Sequence, residues 1–204
     1  MDGTILDAMG AWFTVSRRML EELGRTPRPN FDHEMKAHEG KDVTNYLIES
    51  YNLDCTPEFV SRYTIDNVLE EYRHHAPAKA FAHEHILELH ELGIPMCVCT
   101  GSFHELCDPA FERLGFDKYF RFTLTPEDVG GRRKEFPDIY LTAAERLGIS
   151  PANCLVYEDT FRCLQTAHGA GFRTVGVYDD ASKTYRDDIR ALADLYIHSF
   201  EELV

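Results

Sequence analysis

Ile94-Pro95-Met96-Cys97-Val98-Cys99-Thr100 reads as an apolar strand that ends on a hydroxyl, and Phe103–Leu114 behind it has helical spacing up to Gly115. The same alternation continues toward the C-terminus. Tyr119–Thr125 reads as a strand, Asp138–Leu147 as a helix stopped by Gly148, Asn153–Tyr157 as a strand, and Phe161–Ala170 as a helix stopped by Gly171. A strand at Thr174–Val177, a helix from about Lys183 to Ala193 and a short strand at Leu195–Ile197 close the series. His83–Leu92, stopped by Gly93, is the helix that precedes it. Continuous apolar strands alternating with helices predict an α/β fold, a doubly wound parallel sheet of the Rossmann-like kind with helices on both faces. In such sheets the ligand site lies outside the carboxyl ends of the strands. That rule selects Asp2, Thr100, the loop after Thr125 and the pair Glu158-Asp159.

Upstream the texture differs. From about Ala8 to about His75 no strand pattern occurs. Trp12, Val15, Met19 and Leu23 recur at helical spacing before Gly24. Val43, Leu47 and Ile48 mark a second helix. Phe59, Tyr63, Val68 and Tyr72 mark a third, opened by Thr56 as cap and Pro57 as first-turn proline. The expected organisation is a core of residues 1–7 and 81–204, split early by an all-helical cap of residues 8–80.

The 204 residues are 44% hydrophobic, which suits one ordinary domain with a modest insertion. The net charge of −14 comes without a basic stripe, which argues against nucleic acid and anionic membranes as partners. Arg132-Arg133-Lys134 is the one tight basic cluster. The six cysteines include no Cys-x-x-Cys pair, so reduced thiols used as small core residues are expected, with Cys97 and Cys99 on one face of a buried strand. With no signal peptide in view, the expected location is the cytoplasm.

Four short motifs carry the chemistry. Met1-Asp2-Gly3-Thr4 resembles the last four residues of Asp-x-Asp-Gly-Thr, the first signature of the haloacid dehalogenase superfamily. The strand ending in Thr100-Gly101-Ser102 resembles the second. Lys134-Glu135-Phe136-Pro137-Asp138-Ile139-Tyr140 resembles the third, and Tyr157-Glu158-Asp159 the fourth. The resemblance covers essentially the whole chain. With the helical cap, it is closest to the beta-phosphoglucomutase-like phosphatase branch.

The resemblance implies a Mg²⁺-dependent phosphomonoesterase acting on a small phosphorylated metabolite through an aspartyl-phosphate. In that scheme the nucleophile stands one residue before Met1, and Asp2 is the general acid and base. Thr100 and the Gly101 N–H hold phosphate oxygens. Lys134 neutralises phosphate charge. Glu158, Asp159 and the backbone carbonyl of Asp2 hold Mg²⁺. Lys41, in His38-Glu39-Gly40-Lys41, is the cap residue expected to meet substrate. The alternatives are a phosphosugar mutase, which shares every core residue, and a catalytically dead truncated homologue. The reading expects Met1 to be a misplaced start inside the first motif, and negligible turnover if the chain begins there. The expected assembly is a monomer or weak dimer.

Two departures from the family pattern concern the backbone: Ala80-Phe81 stands where Pro-Gly usually opens the core-entry helix, and Cys163 replaces a glycine after the fourth motif. His83, His85 and His90 are expected on a surface helix rather than around a metal.

Overall fold

The computed structural model describes residues 1–38 and 43–204. The chain divides into two compact units, Met1–Asp7 with Pro77–Val204, and Ala8–Ala76.

The smaller unit is helical: α1 (Met9–Glu22), α2 (Phe31–Ala37), α3 (Val43–Tyr51) and α4 (Pro57–His74). The sequence accounts for its ends. Thr56 caps α4 by accepting from the Phe59 N–H at 3.3 Å, with Pro57 in the first turn. The last carbonyls of α3 are met by cations instead. Arg25 donates to the Tyr51 and Asn52 carbonyls at 3.0 and 2.8 Å, and Arg28 to the Ser50 carbonyl at 2.7 Å. Both satisfy orphan acceptors at the negative end of the helix dipole. Met19, Leu20, Phe31, Leu47 and Val60 form the buried apolar cluster.

The larger unit holds α5 (Ala82–Glu91), β1 (Met96–Cys99), α6 (His104–Leu114), β2 (Phe120–Leu124), α7 (Asp138–Leu147), β3 (Leu155–Glu158), α8 (Phe161–Gly169), β4 (Arg173–Val177), α9 (Arg186–Leu192) and β5 (Leu195–Ile197). This is the expected α/β alternation. Its helix ends follow the glycines: Gly115 and Gly148 cap α6 and α7 at φ 68° and 71°. The expected helix from Lys183 begins instead as a 3-10 turn, Asp180–Tyr185, because Asp179 caps the Ala181 N–H at 2.8 Å.

All the strand pairs are parallel, but they fall into two sheets among the described residues: β1 with β2, and β3-β4-β5. The two sheets share one core. Leu124 of β2, Ile139, Tyr140 and Ala143 of α7, and Ala167 of α8 are buried together, with Cys97, Cys99 and Val156 packed against them. The N-terminal segment joins by single bridges, Asp2 to Leu6 and Leu6 to Ala78. Pro77–Phe81 is fixed to the same unit. Lys79 pairs with the buried Asp179 at 2.9 Å and donates to the Tyr178 carbonyl. The Ala80-Phe81 departure has a visible consequence: Phe81 caps α5 at φ 61°, the left-handed conformation glycine adopts without strain.

No described helix is long and apolar enough to cross a membrane. The six cysteines are free thiols.

Candidate active site

The site begins with a turn that only glycine allows. The Met1 carbonyl accepts from the N–H groups of Thr4, Ile5 and Leu6 at 3.2, 2.9 and 3.0 Å. Gly3 has φ +69°, and a Cβ there would lie 2.2 Å from Asp159 Oδ2. The turn's backbone therefore rests directly on the Asp159 carboxylate. Thr4 reinforces the contact, with Oγ1 donating to Asp159 Oδ1 at 2.9 Å across 155 residues of chain. Half-buried Asp2 stands in the same turn. The first and fourth motifs thus meet.

Adjacent acids at the end of β3 have opposite surroundings. Glu158 is 3% exposed and Asp159 2%. Glu158 is fully engaged: Lys134 Nζ donates to Oε2 at 2.6 Å, Tyr140 OH to the same oxygen at 3.3 Å, and Thr160 Oγ1 to Oε1 at 3.0 Å. Burial alone would raise its pKa, but the Lys134 ammonium, the N-terminal ammonium and the hydrogen bonds from Lys134 and Thr160 together hold the carboxyl below its ordinary range. Lys134 mirrors this. Burial disfavours its charge, yet Glu158 keeps its pKa well above the usual lysine value. Among the described residues no cation bonds Asp159 directly, and Lys134 and the N-terminus act on it only from a distance. Burial first, and then the charge of Glu158, pushes it up to about 7. Its Oδ2 is buried with no hydrogen-bond partner.

Thr100 is buried at the end of β1. Its N–H donates to the Leu124 carbonyl at 3.0 Å, and its Oγ1 accepts from the Ser102 N–H at 3.1 Å. The hydroxyl's own proton remains to be donated to a ligand. Gly101 is exposed in the same loop, and Ser102 Oγ is buried without a partner.

Asp2, Thr100, Gly101, Lys134, Glu158 and Asp159 all lie in the larger unit, and direct contacts join the first motif to the fourth and the third to the fourth. Lys41 lies outside the described residues. Thr4, Tyr140 and Thr160 hold the acids, and sequence reasoning did not single them out. Thr4 and Tyr140 close motifs already quoted, so their positions were visible while their bonds were not. Pro137 occupies the cap of α7. Arg132 pairs at the surface with Asp138 at 2.9 Å. His83 stacks on Phe116 and His90 meets Tyr119 edge-on, whereas His85 is a correction: it is buried, with Nε2 2.9 Å from the Tyr157 hydroxyl, because its side of α5 faces β3 and Phe200. Cys163 beside the acids is pushed up to about 11 by burial and then by Glu158, which leaves it a neutral thiol.

Among the described residues no three His, Cys, Asp or Glu side chains form a metal cluster. A closed cage is therefore absent from them. Mg²⁺ ordinarily takes one or two carboxylates and completes its shell with water and phosphate. The unpartnered Oδ2 of Asp159, beside a second buried carboxylate, suits an open site of that kind.

A profile of haloacid dehalogenase-like hydrolases matches residues 1–171. A phosphoglycolate phosphatase of Neisseria gonorrhoeae is 27% identical over 212 residues, covering 96% of this chain and 89% of that protein. Fructose-1-phosphate phosphatase YqaB of Escherichia coli is 35% identical over 83 residues, 41% of this chain and 44% of its own length. Among solved structures, CbbY from Rhodobacter sphaeroides in complex with phosphate superimposes with a TM-score of 0.82 at 18% identity, covering all of this chain and 93% of its own. At that identity the likeness concerns the fold.

Proposed function

We propose, from the premise that the chain belongs to the haloacid dehalogenase-like hydrolases, that it is a phosphomonoesterase for small phosphorylated metabolites. The observation that carries this reading is the pairing at the end of β3: Glu158 locked to Lys134, and Asp159 seated against the Asp2–Thr4 turn with one oxygen open. Phosphatases among the relatives support the same reaction class.

The residues divide the work as follows. Thr100 Oγ1 and the Gly101 N–H donate to the phosphate oxygens. In this reaction class a carboxylate nucleophile attacks phosphorus, forming an acyl–phosphate bond as the ester P–O bond breaks. Asp2 gives its proton to the leaving oxygen, then takes one from the water that hydrolyses the acyl phosphate. Lys134 keeps a positive charge beside these anions; at about 4 Å two unit charges are worth about 4 kcal/mol at an effective dielectric near 20. Asp159 and Glu158, with the backbone carbonyl of Asp2, would hold Mg²⁺, which would supply Lewis-acid neutralisation of phosphate charge when bound. Reduced cysteines suit a cytoplasmic setting.

The test is phosphate release from a panel of sugar and nucleoside phosphates in millimolar Mg²⁺, by protein carrying aspartate immediately before Met1. Release that disappears in D2N and on chelation is the expected result. No release from any ester would sink the reading, and isomerised phosphate without release would point to a mutase.

A further inference from the structure

The strand-end rule also selects the loop after Thr125, which the phosphatase scheme leaves without a role. In the structure this loop is a 3-10 turn, Pro126–Val129, with a reciprocal capping box. Asp128 Oδ2 accepts from the Thr125 N–H at 2.8 Å and from Thr125 Oγ1 at 3.2 Å. The Thr125 N–H, assisted by His104, holds the Asp128 carboxyl below its ordinary range. The same oxygen lies 2.9 Å from His104 Nε2, so an ionised Asp128 makes that nitrogen the donor. Glu127 Oε2 takes the His104 backbone N–H at 3.4 Å. His104 is the first residue of α6, two positions after Ser102. Thr100 in turn donates its N–H to Leu124, the last residue of β2. The loop that ends β1 is thus fastened to the loop that ends β2 at both of its ends.

Resting on the phosphatase reading, we infer that His104, held by Asp128, is a positioning residue for the phosphate loop Thr100–Ser102. Gly101 is exposed, with open space where a side chain would stand, and the described hydrogen bond inside the loop is the one from Ser102 N–H to Thr100 Oγ1. Donors aimed at phosphate act best when they need no reorganisation at binding. The imidazole supplies that rigidity from outside the loop: it anchors the start of α6, and the start of α6 sets where Ser102 and Gly101 can lie.

The experiment measures amide hydrogen exchange at Ser102 by NMR, and inorganic phosphate affinity, in the intact chain and in H104A and H104N. Exchange at Val175 in β4 serves as the control for global stability. In H104A, Ser102 exchange is expected to rise at least about tenfold with Val175 unchanged, because the opening is local. H104N keeps a donor toward Asp128 and is expected to recover most of the protection. Phosphate affinity should fall about tenfold in H104A and recover in H104N. Should H104A fail to fold, D128N with H104N provides the same comparison. Ser102 exchange within about twofold of the parent in the folded variants overturns the proposal. Phosphate binding by the parent chain is read separately: its absence would count against the phosphatase reading, while the exchange result still decides whether His104 orders the loop.

Discussion

The α/β unit buries ion pairs that the helical unit keeps at its surface. In the helical unit, Arg17–Asp32, Arg62–Asp66 and Arg73–Glu70 lie at the surface around an apolar cluster. In the α/β unit, Lys134–Glu158 and Lys79–Asp179 are largely buried, and Asp159 is buried with no cation directly bonded to it. Exposed pairs contribute about 0–1 kcal/mol each. Buried pairs lose hydration that their attraction offsets only when the geometry is good, and apolar replacements often do as well. Folding alone does not require the charges at the end of β3. The difference between the units teaches that the second is organised around a site, at some cost in stability.

The largest expected effect comes from removing the buried cation. K134M leaves Glu158 buried and uncompensated, and should lower stability by about 3–5 kcal/mol and abolish phosphate release. Chemical denaturation gives the first number; a loss below about 1 kcal/mol would erase the contrast between the units. G3A comes next. Its Cβ would lie 2.2 Å from Asp159 Oδ2, at a positive φ, so a loss of about 2–4 kcal/mol is expected from the same assay.

Asp159 gives an effect of the opposite sign. Its folded pKa, about 7, is raised above the unfolded carboxylate value. The folded state therefore binds the extra proton, and this stabilisation is fully present below about pH 4 and is lost as pH rises through about 7. D159N removes that pH dependence. At pH 8 without Mg²⁺ it should be more stable than the parent by roughly 2–4 kcal/mol, while losing turnover. Equal stability curves for the two proteins between pH 4 and 8 would contradict the assigned cause. The smallest effect is expected in the helical unit: R62A should change stability by less than about 0.5 kcal/mol, and high salt should remove even that.

Much of the fold was legible locally. Gly115 and Gly148 end their helices, Thr56-Pro57 opens α4, and Asp138–Leu147 has the bounds that its spacing predicts. The second and fourth motifs also fell at strand ends, because parallel strands covered on both faces must be apolar until they reach the ligand edge. Less legible was the pairing of strands into two sheets, since pairing depends on which backbones become neighbours. His85 was misread for a related reason: an imidazole on a polar-looking helix gives no sign of whether Tyr157 and Phe200 will cover it.

By itself, then, the sequence determined the α/β alternation, the helical insertion, the family, and the strand ends that carry Thr100 and Glu158-Asp159. These follow from short-range periodicity, capping and motif spacing, which are written along the chain. Only the tertiary structure decided what each of those residues became. Glu158 and Asp159 are neighbours in sequence with the same charge. One is locked to Lys134, 24 residues away, and the other is left with an open oxygen against a turn 155 residues away. Burial and long-range partners set that difference, and no local spacing encodes them.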